Sequence, residues 1–214
     1  TIANVPNIVS CGSQWFRSLG TPNSPGTVVA TVTGDLHRHG VGEVPMGTPL
    51  RQVLETVGGG STAQVKAVLS GVANPVILGD QLDVPVSHEG MRSIGCGLGS
   101  AGFIVFAHPT DMVAVAAGVA RFRAVESCGQ CTPCKLDGID LATLLDRLAR
   151  CNATAADLDM FERRIGTVGD GARCYLAAQQ ETVLSSIFNG FRSEFDAHVT
   201  GDAAPAGPAL IAEL

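Results

Sequence analysis

The sequence predicts an α+β protein in which a small sheet, with one helix laid across it, is followed by a helical domain. Two patterns support this. Up to residue 107 the apolar residues form short β-branched runs bounded by glycine and proline, whereas after Pro109 they recur at helical spacing. We therefore expect four parts: a leading segment over residues 1–20, a sheet domain over 21–107, a helical domain over 108–199 and a loose tail over 200–214.

Several runs in the first domain have the composition of strands. The apolar run 102–106 is the clearest, and Pro45 makes another run an edge strand because proline cannot donate to a ladder. Thr48 and Pro49 have the chemistry of a helix start, and the glycines at 58–60 end that helix. The predicted strands span residues 27–32, 42–46, 65–69, 75–78 and 102–106, and a short helix is predicted over 14–19.

Four helices are predicted in the second domain. Asp111, Asp140 and Thr154 each stand where a helix N-cap is expected, before apolar residues at helical spacing. The first three helices are therefore expected to begin near residues 112, 141 and 155. The fourth is expected to run from Tyr175 to His198.

Composition excludes several classes of function. The formal net charge is −6, and no run of lysine or arginine resembles a nucleic-acid footprint. No apolar stretch reaches the roughly 20 residues of a membrane span, and the N-terminal residues lack the regions of a signal peptide. We therefore expect a cytoplasmic protein that binds no nucleic acid and does not insert into a membrane. Only 16% of the residues are charged, which indicates a surface partly covered by partners.

The cysteines are the strongest chemical signal. There are seven, and an odd number argues against a disulfide framework. Two residues separate Cys128 from Cys131 and Cys131 from Cys134, which places three thiolates around one loop, as the corners of a cubane cluster require. Zinc is the alternative, but it favours two C-x₂-C pairs, and the second pair is absent. The spacing therefore predicts an iron–sulfur cluster.

Cys174 is the better candidate for a fourth ligand. Cys151 ends a predicted helix, whereas Cys174 lies in a glycine-containing loop at the start of one. Helix N-termini favour negative ligands, and a cluster with four thiolates is anionic. We interpret Cys11, Cys96 and Cys151 as small buried hydrophobic residues.

Other polar motifs give no site. Residues 95–100 precede a strand, whereas a dinucleotide loop follows a strand and opens a helix, so this run is interpreted as a turn. His37 and His39 are expected in an exposed hairpin rather than a metal site. Glu89 and His198 have no partners that the sequence can name. A catalytic triad would also be hidden from the sequence, because triads are assembled in space.

The cluster segment carries a resemblance to a known family. Residues 126–134, Glu-Ser-Cys-Gly-Gln-Cys-Thr-Pro-Cys, resemble the cluster motif of the FMN- and NADH-binding flavoprotein subunit of respiratory complex I. The same module occurs in NAD-linked formate dehydrogenases and hydrogenases. The likeness covers nearly the whole chain, including residues 47–51 and 191–195. It implies a ubiquitin-like β-grasp domain, a [4Fe–4S] cluster and Cys174 as the fourth ligand.

Two departures from the family pattern matter. The family has Arg-Glu-Gly after its third cysteine, whereas this chain has Lys135-Leu136-Asp137-Gly138, a change expected to affect a docking surface but not the cluster. The family's N-terminal domain, with its glycine-rich FMN and NADH site, has no counterpart among these residues. Neither FMN nor NAD(H) is therefore expected on this chain.

The resemblance also implies a function. The chain would relay single electrons from a flavin, on another chain or a missing domain, to further iron–sulfur centres of a multi-subunit NAD(P)-linked oxidoreductase. Its partners would be a flavin-bearing chain and a ferredoxin-like iron–sulfur subunit, and it would not be catalytic alone. Two alternatives stay open: the C-terminal part of a full FMN- and NADH-binding subunit, and a structural adaptor in which the cluster is only a staple.

Overall fold

A computed structural model describes residues 2–209. The chain divides into two compact units at the junction of Pro109 and Thr110. The first unit contains a five-stranded sheet and the second is built from helices, so the predicted α+β class is confirmed.

Five strands form the sheet of the first unit. They are β1 (Thr27–Gly34), β2 (Gly40–Pro45), β3 (Val65–Ser70), β4 (Ile77–Leu78) and β5 (Gly102–Ala107). The strand order is β2-β1-β5-β3-β4, with β1 and β5 parallel and the other neighbouring pairs antiparallel. The first and last strands of the unit are therefore paired at the centre of the sheet. This is the ubiquitin-like β-grasp arrangement that the family resemblance implies.

One helix packs its apolar face into the core of this unit. The helix spans Leu50–Gly58, and its residues at positions one, four, five and eight are buried, which is the spacing of a single helical face. They share one core with inward-facing side chains of the strands. The helix ends at Gly59, whose φ of 71° is the left-handed conformation that favours glycine after a helix.

The rest of the first unit differs from prediction in its short elements. Two short helices, Val5–Cys11 and Ser13–Arg17, replace the single helix predicted over 14–19. Pro6 stands in the first turn of Val5–Cys11, where its missing N–H leaves no intrahelical bond unmade. A further helix, His88–Ser93, was not predicted because six residues give too little periodicity. These four helices are α1 (Val5–Cys11), α2 (Ser13–Arg17), α3 (Leu50–Gly58) and α4 (His88–Ser93).

Five helices form the described part of the second unit. They are α5 (Met112–Glu126), α6 (Thr132–Ala149), α7 (Ala155–Thr167), α8 (Tyr175–Gly190) and α9 (Arg192–Thr200). Asp111 caps α5 as predicted, accepting hydrogen bonds from the backbone N–H groups of Val113 and Ala114 at 2.8 and 3.2 Å. Within residues 2–209, none of the helices has the length and apolar character needed to cross a membrane.

Two helix predictions in this unit were wrong in their bounds. α6 begins at Thr132 instead of near residue 141, because Pro133 starts the helix rather than stiffening a loop. Asp140 is therefore inside α6 and pairs with Arg164 at 3.2 Å instead of capping a helix. The helix predicted over 175–198 is divided at Phe191, whose φ of −131° and ψ of 30° interrupt it between α8 and α9.

Three phenylalanines join the last three helices. Phe161 of α7 meets Phe188 of α8 edge-to-face at a centroid distance of 5.4 Å, and Phe195 of α9 stacks on Phe161 at 5.8 Å. Phe188 and Phe195 also meet edge-to-face, at 5.0 Å. Such ring pairs contribute about 0.5–1.5 kcal/mol each beyond the area they bury.

The described part of the tail is bonded to this unit. The N–H of Ala206 donates to the carbonyl of Ala149 at 2.7 Å, and that of Ala209 donates to Ala114 at 2.8 Å. The tail was predicted to be loose over 200–214, and residues 210–214 lie outside the described residues. Up to residue 209 the backbone is held against α5 and α6.

Gly34 provides a test of the central strand pair. Its φ is 94°, and a Cβ added there would lie 2.1 Å from the carbonyl oxygen of Val105. Gly71 has a φ of 61° but nothing within 4 Å of such a Cβ. We expect Gly34→Ala to lower the free energy of unfolding by about 3 kcal/mol and Gly71→Ala by about 1 kcal/mol, because only the first adds a clash to the backbone strain. Urea denaturation followed by circular dichroism measures both, and equal losses would contradict the expectation.

Candidate metal centre

The four cysteines predicted as ligands lie around one cavity in the second unit. Cys128, Cys131, Cys134 and Cys174 all line a space of about 130 Å³. All four are free thiols; Cys134 is buried, Cys131 is partly exposed, and Cys128 and Cys174 are exposed. Across residues 2–209, no three His, Cys, Asp or Glu side chains form a group that could hold a single metal ion. The assignment of the four cysteines as ligands stays a prediction.

The local folding of the chain brings these cysteines together. Cys131 is the N-cap of α6 and Cys134 lies in its first turn, while Cys174 is the N-cap of α8. Cys128 lies in the loop before α6, where Gly129 adopts a φ of 78° that a side chain would strain. Two helix N-termini, each with unpaired N–H groups and a positive dipole end, therefore begin at cysteines of the cavity.

Hydrogen-bond donors approach two of the sulfur atoms. The backbone N–H of Arg173 donates to Cys131 Sγ at 3.4 Å, and Ser127 Oγ lies 3.4 Å from Cys134 Sγ in a buried position. A thiolate can only accept, so the Ser127 hydroxyl would donate to a deprotonated Cys134. Spacing patterns in the sequence do not reveal Ser127, although it directly precedes the first cysteine of the motif.

Lys135 holds the loop that carries Cys128. Its ammonium group donates to the carbonyls of Ala124 and Ser127 at 2.7 and 3.2 Å, which are orphan acceptors near the end of α5. Lysine at a helix C-terminus also complements the negative end of the helix dipole. Lys135 therefore fixes where α5 ends and where the cysteine loop begins.

The residues after Cys134 that depart from the family pattern are mostly internal. Asp137 is buried and accepts from Arg164 Nη1 at 2.7 Å and from Thr167 Oγ1 at 2.9 Å, which links α6 to α7. Gly138 is buried too, facing the Gln180 side chain. Leu136 is the exposed member of the stretch, at 55%. The predicted effect on a docking surface therefore narrows to Leu136.

A buried arginine lies one turn before Ser127 on α5. Arg123 is only 6% exposed, and its guanidinium donates to Gln179 Oε1 of α8 at 3.0 Å. Burial lowers the pKa of Arg123 from its ordinary value, because desolvation penalises the cation. It remains a cation at neutral pH, since arginine titrates far above that range. The structure thus places positive charge inside the helical unit.

The remaining cysteines differ from one another. Cys96 is buried as predicted; its thiol donates to the Pro75 carbonyl at 3.2 Å, and burial raises its pKa. The prediction for Cys11 was wrong, since it is exposed at the end of α1, a helix without buried residues. Cys151 is only partly buried.

The weaker polar motifs resolve as ordinary structure. His37 and His39 are exposed between β1 and β2, as predicted for a hairpin, and residues 95–100 are turn and coil. Glu89 gains partners that the sequence could not name: the hydroxyls of Ser24 and Thr21 donate to its carboxylate. These bonds lower the pKa of Glu89 to about 2.

Comparison with known proteins agrees with this architecture. Residues 114–198 match the NADH-ubiquinone oxidoreductase-F iron-sulfur binding region, and residues 29–69 match the SLBB domain. The first match contains all four cysteines of the cavity, and the second covers β1 to β3 with α3. A sheet domain of this kind followed by an iron–sulfur binding region defines an oxidoreductase subunit module.

The chain belongs to the NADH-quinone oxidoreductase F family and corresponds to the C-terminal part of its members. It is 35% identical over 209 residues to NADP-reducing hydrogenase subunit HndC of Solidesulfovibrio fructosivorans, covering 96% of this chain and 43% of that protein. It is equally identical, over 209 residues, to an F-type NADH-quinone oxidoreductase subunit of Rhizobium meliloti (strain 1021), covering 96% of this chain and 49% of that protein. The chain thus spans about half the length of the curated relatives it matches.

A solved structure shares the fold. A chain of the NAD⁺-reducing [NiFe]-hydrogenase, crystallised in the H₂-reduced state, superposes with a TM-score of 0.80 at 28% identity. The match covers 90% of this chain and 32% of that chain. Subunits of redox enzymes are therefore the relatives of this protein in both sequence and structure.

Asp137 offers a stability test of the helix pair beside the cavity. Asp137→Ala removes a buried carboxylate and leaves Arg164 and Thr167 without it, so we expect the free energy of unfolding to fall by about 2 kcal/mol. Asp196→Ala breaks the exposed pair of Arg192 and Asp196, and we expect a loss below about 0.5 kcal/mol. Chemical denaturation of the two variants gives the comparison. Similar losses would show that Asp137 contributes no more than a surface carboxylate.

Proposed function

We propose that this chain holds one [4Fe–4S] cluster on Cys128, Cys131, Cys134 and Cys174 and relays single electrons within a multi-subunit NAD(P)-linked oxidoreductase. The observation that carries the proposal is that these four thiols, distant in sequence, surround one cavity into which two helix N-termini open. When bound, a cubane cluster supplies a one-electron redox couple whose potential depends on hydrogen bonds to sulfur and on burial.

The size of the cavity and its donor set fit such a group. A volume of about 130 Å³ is several times the ~30 Å³ share of one water in the liquid. It therefore suits a multi-atom cluster better than one zinc ion, whose thiolates all lie about 2.3 Å from the metal. The helix N-termini and the buried cation of Arg123 favour the anionic charge of four thiolates.

This chain's own residues divide the work around the cavity. The buried thiol of Cys134 and the apolar side chains of Leu176 and Ala177 exclude water from the inner side. Cys128 and Cys174 lie on the exposed side, where electrons would enter and leave. Arg173 N–H and Ser127 Oγ supply the hydrogen bonds that set the electron affinity of the site.

An apolar surface near the exposed cysteines supports docking of redox partners. The exposed large apolar side chains of the cavity region and its neighbouring helices are Val125, Leu136, Ile139 and Tyr175. Aromatic and aliphatic anchors of this kind are typical of interface centres. The partners we propose are a flavin-bearing site and a ferredoxin-like iron–sulfur subunit. We place this assembly in the cytoplasm, because free cysteines persist in a reducing compartment.

A second candidate concerns the location of the flavin. Because the chain spans 43% and 49% of two relatives, the flavin site belongs either to another chain or to a further part of the same polypeptide. The relay through the four cysteines is the same in both arrangements. FMN and NAD(H) are assigned to that other part, since no residue of residues 1–214 matches the family's glycine-rich nucleotide site.

The relay is tested by iron content and EPR of the anaerobically purified protein. We expect about four irons per chain and a cubane-type signal on reduction with dithionite, both lost in Cys131→Ala. Cys11→Ala is the matched control, because this exposed cysteine lies in the first unit, and it should retain both. Reduction by NADH is expected only with a flavin-bearing partner present. Zinc in place of iron, or a cluster that cannot be reduced reversibly, would leave the structural adaptor as the function.

Ser127 provides a second test through the reduction potential. We expect Ser127→Ala to make the potential more negative by on the order of 40 mV, which is the one-electron equivalent of a hydrogen bond of about 1 kcal/mol. The cause is the loss of a donor that favours the more negative, reduced state. An EPR-monitored redox titration measures the shift. Ser193→Ala, at an exposed position on α9, serves as the control, and an equal potential in all three proteins would rule out this role of Ser127.

A further inference from the structure

Three polar residues form a hydrogen-bonded line elsewhere in the second unit. Cys151 Sγ lies 3.3 Å from His198 Nδ1, and His198 Nε2 lies 2.7 Å from Asp111 Oδ2. The three come from the residue after the α6 C-cap, the last turn of α9 and the N-cap of α5. His198 is 2% exposed, so its ring is held in place by the surrounding helices.

The order of the line sets the proton positions. A carboxylate can only accept, so the proton on the neutral imidazole is at Nε2, where it is donated to Asp111. Nδ1 is then a free acceptor facing the thiol of Cys151. If the thiol proton moves to Nδ1, the carboxylate of Asp111 stabilises the resulting imidazolium. A nucleophile, a base and a carboxylate that orients the base is the arrangement that activates cysteine nucleophiles on unrelated folds.

The surroundings of Cys151 contain opposing influences. The negative end of α6 disfavours a thiolate, and the Ala203 carbonyl, 3.4 Å from Sγ, is a competing acceptor for the thiol proton. The charged side chains in the last turns of α6 are already paired, Arg147 with Asp157 and Arg150 with Asp146. On the side of α9, the Glu194 carboxylate accepts from the Met112 N–H, and Asp202 accepts from Thr200. His198 is therefore the group in contact with Sγ that can offset the charge of a thiolate.

The backbone at Cys151 adds a further observation. Its φ is 55°, in the left-handed region, immediately after a helix, where glycine is the usual residue. A side chain at this position costs stability, yet here it directs a thiol at an imidazole. Cys151 is partly exposed, which admits a small reactant.

We propose that Cys151 is a modification site that reacts with hydroperoxides, with His198 as its base and Asp111 as the residue that positions His198. His198 Nδ1 takes the thiol proton, and the thiolate attacks one peroxide oxygen. The S–O bond forms as the O–O bond breaks, and the departing oxygen takes the proton from Nδ1. Sulfur loses two electrons and becomes a sulfenic acid, while hydrogen peroxide yields one molecule of water. This reaction needs neither the cluster nor its partners.

Two other cysteines of the chain are internal standards. Cys11 is more exposed than Cys151 but has the Ser10 hydroxyl, at 3.5 Å, instead of an imidazole beside it. Cys96 is buried against a carbonyl, and burial raises its pKa. Reaction controlled by exposure alone would favour Cys11, whereas reaction controlled by the base favours Cys151.

The test is a timed exposure of the anaerobically purified, cluster-loaded chain to hydrogen peroxide with dimedone, followed by peptide mass spectrometry. We expect sulfenic acid to be trapped at Cys151 at least about tenfold faster than at Cys11, since a positioned base contributes on the order of 10²-fold or more. Asp111→Asn keeps an oxygen that can cap α5 but removes the carboxylate, and we expect it to lower the rate at Cys151 towards that at Cys11. His198→Asn should do the same, and Cys151→Gly should remove the labelled peptide.

The comparison between Cys151 and Cys11 in the unaltered chain is decisive even if a variant fails to fold. Labelling of Cys151 no faster than that of Cys11 would overturn the proposal, and so would a folded Asp111→Asn protein that reacts at the original rate. In those cases the line of three residues only joins helices. The visible absorbance of the cluster, recorded in parallel, separates this result from loss of the relay site.

Discussion

The second unit depends on keeping several sulfur atoms that become anionic close together inside a protein. Thiolates repel one another, and their desolvation is costly without compensating charge. The chain meets this constraint by starting two helices at cysteines of the cavity, so that free N–H groups and the positive ends of two dipoles meet the sulfur atoms. The positions of α6 and α8, and the loops before them, follow from this requirement.

The contacts around the cavity serve the same constraint. Lys135 binds the carbonyls at the end of α5, which fixes the start of the cysteine loop. Asp137 ties α6 to α7, and the segment that follows α7 carries Arg173 and Cys174 back to the cavity. The phenylalanines of α7, α8 and α9 then secure the helices on which this loop depends. A change in any of these contacts would alter the geometry of the sulfur atoms without touching a cysteine.

Sequence reasoning reached the parts of the structure that are local. Regular spacing identified the strands, the N-caps at Asp111 and Thr154, and the cysteine group, since each is a pattern of neighbours along the chain. The start of α6 was missed because Pro133 is compatible with both a loop and a first helical turn. Cys11 was assigned to the interior on general preference, whereas its helix has no buried face. The line of Cys151, His198 and Asp111 could not be predicted, because only the packing of α5, α6 and α9 assembles it.

The path of the tail has a consequence for how this unit could spread among proteins. Ala209 donates to Ala114, in the first turn of α5, so the chain returns after α9 to the place where the unit begins at Thr110. A domain whose two ends are adjacent can be inserted into a loop, joined to other domains or circularly permuted with little disturbance to its interior. The helical unit therefore has the geometry of an exchangeable cassette, which different multi-domain proteins could acquire as a whole.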